Sequence, residues 1–154
     1  MYHLDSLDRK IISFLAENAK IPFVEIAREC NISAGAVHKR VEKLEEAGVI
    51  TGYKVVLNTE ILGFTTRAFV GVLLERAIRY SDVKKALENI HEVIESHFTT
   101  GKFGLLIKVL CKDNQHLKGV LENIHDIPGV STTETYISIE QSNEKVIHLD
   151  AEDF

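Results

Sequence analysis

Cysteine is scarce in this chain of 154 residues: Cys30 and Cys111 stand far apart, in segments that read as helix and strand. That excludes a disulfide framework and a CxxC site, and suits two small buried thiols in a reducing compartment. No apolar run approaches the length that crosses a bilayer. Met1 is followed by Tyr-His-Leu-Asp, with neither a basic n-region nor an apolar h-region, so no secretory signal is read there. A soluble, cytoplasmic protein is expected. The seven histidines show no ligand spacing with the cysteines, so no metal is expected. There is no Walker loop, GxGxxG or nucleophile–base pattern, and an enzyme is not expected. Positive charge is short too: the net charge of −5 argues at first against a nucleic-acid binder.

The distribution of charge reverses that argument. Residues 1–57 hold eight Lys/Arg and eight Asp/Glu, so the acidity belongs entirely to residues 58–154. A neutral N-terminal unit with its cations gathered on one helix can still dock on phosphates. The stretch Ile32–Tyr53 contains such a helix. Ser33 is its natural N-cap, Val37, Val41 and Leu44 repeat at i, i+4, i+7 on one face, and Gly48 stops it. The opposite face carries Gly35, Lys39, Glu42 and Lys43, with His38 and Arg40 on the flanks.

Two helices precede it. Asp5 is a plausible N-cap for the first, whose stripe is Leu7, Ile11, Phe14 and Leu15 and whose end falls near Asn18. The second begins at Pro22, a residue suited to a first helical position, and buries Ile26, Ala27 and Cys30. Ala27 is small where two helices cross, Asn31 takes the sharp turn as a residue tolerant of left-handed backbone, and Val37 packs back into the pair. This is helix-turn-helix spacing, though an ordinary helical hairpin shares it. Val49–Leu57 alternates as a strand, completing a small winged-helix-like head over residues 1–57.

Residues 58–63 read as a hinge with one helical turn, bounded by Gly63. Beyond it, over 64–154, strands and helices alternate. Strands are expected at Thr66–Leu74, Val93–Thr99, Leu105–Cys111 and Val130–Ile139, with helices starting at Ser81-Asp82 and after Asp113, and a short apolar tail at Val146–Leu149. The pentapeptide Leu-Glu-Asn-Ile-His occurs at 87–91 and again at 121–125, each time at a helix end leading into a strand. The order βαββαβ describes a ferredoxin-like sandwich with helices on one face of its sheet. The other face has no cover within the chain, so a homodimer is expected.

Taken together, several runs of residues resemble the leucine-responsive regulatory protein/AsnC family of feast/famine transcription regulators. They are Leu4–Ile12, Arg40–Glu45, Gly48–Tyr53, Leu57-Asn58 and Leu62-Gly63, then Thr100–Phe103 and Gly129–Thr135. The resemblance covers nearly the whole chain. It implies an α+β protein with a helix-turn-helix head that binds double-stranded DNA, and a C-terminal domain, often called RAM, for oligomerisation and sensing. It further implies dimers, commonly four to an octamer, and an amino acid as small-molecule effector, with no membrane role. On that basis Ser33, Gly35, His38 and Lys39 are the candidates to face the groove, and Arg40 and Lys43 to contact phosphate. For these cations the alternative is a solvated face, with Arg40 paired to an acidic neighbour. The effector is expected near Thr100, Gly101, Phe103 and Gly104 and near Thr133 and Thr135, although threonines also simply favour strands. Where the family usually has Asp after Thr-Gly-x-x, this chain has Gly104, so the usual carboxylate for an effector's ammonium is missing. A different class of function, an effector-binding or scaffold protein of the same fold that no longer reads DNA, separates from the first on the helix cations.

Overall fold

The Asp5 carboxylate accepts the Asp8 N–H at 2.7 Å, and the Asp8 carboxylate accepts the Asp5 N–H at 3.3 Å. This reciprocal capping box satisfies two donors that the first helical turn would leave open. It begins α1, Ser6–Glu17, with Asn18 as C-cap. In the computed structural model, which describes residues 3–75, 80–143 and 145, α2 spans Phe23–Cys30 and α3 spans Ala34–Glu46. Pro22 serves as the N-cap of α2, one position earlier than its fixed φ suggested.

Asn31 adopts the left-handed conformation that the turn requires, φ 54° and ψ 44°. The Asn31 N–H then reaches the Arg28 carbonyl at 3.2 Å and the Ile32 N–H reaches that of Ala27 at 3.0 Å, closing the helix in a Schellman motif. Gly48, at φ 69°, closes α3 in the same way, with the Val49 N–H on the Leu44 carbonyl at 2.9 Å. Ile11, Leu15, Ile26, Ala27, Val37 and Val41 form the core of this three-helix head, with Leu44 also fully buried.

The strand expected at Val49–Leu57 is corrected. Residues 51–58 belong to no helix or strand, and Val55 and Val56 are 78% and 89% exposed. An apolar, alternating segment becomes a strand only when its backbone groups meet those of another. Among the described residues none is offered. Residues 58–63 contain the expected helical turn: Asn58 Oδ1 accepts from the Ile61 N–H at 3.1 Å, and Gly63, φ 83°, closes it with the Phe64 N–H on the Thr59 carbonyl at 2.8 Å.

The chain divides into two compact units, one reaching Val56 and the other Leu57–Ser142. The second is built as β1 Thr66–Leu74, α4 Tyr80–Glu88, β2 Val93–Phe98, β3 Leu105–Cys111, α5 Asn114–His125 and β4 Val130–Ser138. The sheet order is β2-β3-β1-β4, antiparallel throughout, which is the ferredoxin-like arrangement. Ala68, Val70 and Val72 of β1 and Leu105, Ile107, Val109 and Cys111 of β3 face the helices and form the core with them. The duplication shows in that core. Val83, Ala86, Leu87 and Ile90 of the first helical segment and Leu117, Val120, Leu121 and Ile124, each 34 residues on, all pack into it. The apolar tail expected at Val146–Leu149 lies outside the described residues.

Candidate nucleic-acid interface and effector region

The Ser33 hydroxyl accepts the Ala36 N–H at 3.2 Å, which fixes the start of α3 and so the direction in which its polar face looks. Gly35, Lys39 and Lys43 follow at intervals of four along that face and are all exposed. Neither lysine has an ion-pair partner among the described residues. A Cβ placed on Gly35 would meet nothing within 4 Å. Packing therefore does not require glycine at this helical position, where it costs about 1 kcal/mol relative to alanine. His38 leans edge-on against Phe23, ring centroids 5.8 Å apart, with Nδ1 3.4 Å from Glu42.

In the free head Arg40 is paired with acidic neighbours, as its alternative reading has it. Its Nη1 donates to Asp5 Oδ2 at 2.7 Å and to Asp8 Oδ1 at 2.6 Å. Asp8 is 3% exposed, so this guanidinium answers a buried carboxylate and ties α3 to the first turn of α1. Desolvation works against ionised Asp5, but the Asp8 N–H and Arg40 outweigh it and hold the Asp5 carboxyl below its ordinary range. Hydrogen bonds to Asp5 and Asp8 in turn raise Arg40. On the other side of the helix, the Tyr53 hydroxyl donates to Glu45 at 2.9 Å, pinning the segment that follows α3. Burial and this carboxylate raise the phenol above its usual value.

In the second unit, the loop 99–104 folds over the sheet face that carries no helix. The Thr99 hydroxyl donates to the Phe103 carbonyl, and the Phe103 ring lies on Gly71: a Cβ built there would sit 2.6 Å from three ring atoms. Register then sorts β4. Thr133 and Thr135 oppose Val72 and Val70, which are core residues, so they face the helical side. Thr133 lines a groove there with Leu117, Leu121 and Ile137. Glu134 opposes Gly71 and Tyr136 opposes Phe69, on the open face. One chain therefore keeps Thr100, Gly101, Phe103 and Gly104 together but does not bring Thr133 and Thr135 to them. The β4 residues that do meet the loop are Glu134, paired with Lys102, and Tyr136, whose hydroxyl donates to Glu134 at 3.0 Å. Sequence reasoning missed this pair and missed Gly71. A glycine inside a strand pattern is itself a sign of close approach and could have pointed to the last.

Gly71→Ala is expected to lift Phe103 off the sheet. The overpacking should cost about 1–3 kcal/mol, with faster amide exchange confined to residues 99–104. Unchanged exchange in that loop would contradict the packing.

A helix-turn-helix head joined to a ferredoxin-like sensor unit defines a two-part DNA-binding transcription regulator. Two family descriptions match: winged helix-turn-helix DNA-binding over residues 4–51, and the Lrp/AsnC ligand binding domain over residues 67–146. The regulatory protein AsnC of Haemophilus influenzae is 38% identical over 141 residues, covering 91% of this chain and 94% of that one. The chain belongs to the Lrp/AsnC family of transcription regulators. The structure of Escherichia coli AsnC matches with a TM-score of 0.90 at 34% identity, over 96% of this chain and all of that one. The feast or famine regulatory protein Rv3291c of Mycobacterium tuberculosis, solved with L-methionine, matches with a TM-score of 0.89 at 27% identity, over 96% and 100%.

Proposed function

We propose that this regulator reads double-stranded DNA through paired copies of α3 and is tuned by a free amino acid bound at the loop 99–104. The observation that carries the first part is the exposed stripe Gly35, Lys39, Lys43, two cations without an ion-pair partner among the described residues on a capped helix. Phosphate contacts by Lys39 and Lys43 set the register, while Ser33 and His38 near the helix start lie closest to base edges. Two cations per head bind weakly, so two heads act together.

Pairing has support in each unit. The open face of the sheet carries Phe69 and Tyr136, 39% and 56% exposed, beside half-buried Leu106 and Leu110. It also holds Arg67, whose buried Nε has no acceptor among the described residues. A second copy covers such a face, and the exposed apolar segment at 49–57 offers another pairing surface. Because Thr133 and Thr135 face away from the loop, an effector site using both is built from more than one copy, in keeping with four dimers assembled as an octamer. No described helix is long and apolar enough to cross a membrane, which accords with a cytoplasmic regulator.

Gel-shift titration of the full chain on the DNA upstream of its own gene, across salt, tests the reading. If two heads each engage Lys39 and Lys43, log K should fall against log salt with a slope of about −3.5. A slope near zero, or a monomer by sedimentation at the concentration that binds, would overturn it.

A further inference from the structure

α3 sets a histidine and a carboxylate side by side within its exposed face. Gly35, His38, Lys39 and Glu42 stand at i, i+3, i+4 and i+7, which makes them one contiguous patch of the helix. His38 Nδ1 lies 3.4 Å from Glu42 Oε1, with the two side chains 59% and 55% exposed. A pair so open contributes little to stability. The imidazole is steadied from α2, where its ring stands at 78° to that of Phe23 with centroids 5.8 Å apart. Nδ1 faces Glu42, and Nε2, which has no partner among the described residues, is the nitrogen left for a ligand.

Glu42 is out of place on a surface that meets phosphates. A carboxylate brought up to a polyanion is repelled, and enclosing it there without a cation is costly. Among the described residues its ion-pair partner is His38, and neither Lys39 nor Lys43 pairs with it. The cleft beside His38 has Glu42, Glu45 and Tyr53 as its titratable groups, and no lysine or arginine lines it. Glu45 accepts the Tyr53 hydroxyl, and α2 contributes Phe23, which carries no charge. Lys39, the neighbouring cation of the patch, opposes a proton on the imidazole, whereas Glu42, Glu45 and the phosphates of a docked duplex favour one. Docking tips that balance toward the charged ring.

From this geometry we infer that His38 reads a base as an imidazolium, taking up a proton from solvent when the duplex docks and dividing its two N–H groups between Glu42 and the major groove. This rests on the DNA reading given above and names a residue that sets its specificity. The Nδ1–H answers the carboxylate that would otherwise repel the duplex. The Nε2–H is then a donor and selects an acceptor, for which guanine, with N7 and O6 both accepting, is the best edge. Proton uptake and DNA binding are linked reciprocally, so affinity rises as pH falls through the range in which histidine changes charge.

Gel shifts of the full chain on the DNA upstream of its gene, from pH 8.5 to pH 6.5 at fixed salt, test the linkage. Calorimetry in buffers of different ionisation enthalpy counts the protons, and duplexes selected from a random-sequence pool at pH 6.5 report the base. The wild type should gain about tenfold or more in affinity and take up about one proton per head. His38→Gln should lose both, and Glu42→Gln should bind more tightly than the wild type at pH 8.5 with a shallower pH dependence. Unfolding transitions should stay unchanged in both variants. The wild type should select guanine at one position of each half-site, and His38→Gln should select adenine there, because its amide matches N6 and N7 of that base. A pH dependence or a base preference that is the same in His38→Gln as in the wild type overturns the inference and leaves α3 as the reading helix. Failure of the wild type to retain any duplex removes the DNA reading and the inference with it.

Discussion

Replacing Lys39 and Lys43 together by glutamate should lower affinity for the DNA upstream of the gene by about 10³-fold or more at 0.1 M salt. Each phosphate contact releases a counterion, so affinity scales as salt concentration to the power of about −0.9 per contact. Losing four contacts across two heads therefore removes a factor of about 10³ at 0.1 M before any repulsion from the new carboxylates is counted. The same variant should keep its fold and its oligomeric state. Both lysines are exposed and have no ion-pair partner among the described residues to leave behind, and exposed charges of this kind change stability by about 0.5 kcal/mol or less. Gly35→Ala gives an independent check on the same face. It should make α3 more stable, since the added methyl meets nothing, while weakening DNA binding where the duplex approaches the helix closely. Full affinity in the double glutamate variant would move the interface off α3.

Local features of the head and sheet were legible because they are decided within a few residues. Caps at Asp5, Ser33 and Asp113 were visible as side chains able to reach an N–H three residues on, and each does so. β1 and β3 run over the expected residues, Thr66–Leu74 and Leu105–Cys111, because their apolar character is bounded by turn residues at both ends. What was not legible depends on partners distant in the chain. The segment at 49–57 has the alternation of a strand, but strand formation needs a second backbone alongside it. For Thr133 and Thr135, alternation alone states that they share a face. Only the pairing of β4 with β1 decides which face, and a shift of one residue would reverse it. The pair Lys102–Glu134 spans 32 positions, and Arg40 reaches Asp8 over the same separation. Neither has a periodicity to announce it.

Arg40→Met separates the brace from the DNA contact it was expected to make. The substitution keeps the length of the side chain but leaves the Asp8 carboxylate, 3% exposed, with the long bond from the Asp5 N–H as its remaining partner among the described residues. Breaking a buried pair from one side costs about 3–5 kcal/mol. The guanidinium is partly exposed here, 33%, so water can replace some of what is lost and about 2–3 kcal/mol is expected. For a head of this size that lowers the unfolding midpoint by about 10 °C or more. Adding Asp8→Asn removes the stranded charge and should recover much of the loss, because deleting both partners costs far less than deleting one. The wild type should show the matching acid sensitivity. Asp5 has its folded value depressed, so its contribution is present above the ordinary carboxylate range and is lost as pH falls through the lower folded value. That acid-sensitive step should shrink in Arg40→Met, which removes the cation facing Asp5. Below its melting point, Arg40→Met should bind DNA within a few-fold of the wild type and with the same salt slope. A slope reduced by about two, with stability unchanged, would return Arg40 to the phosphate-contacting group.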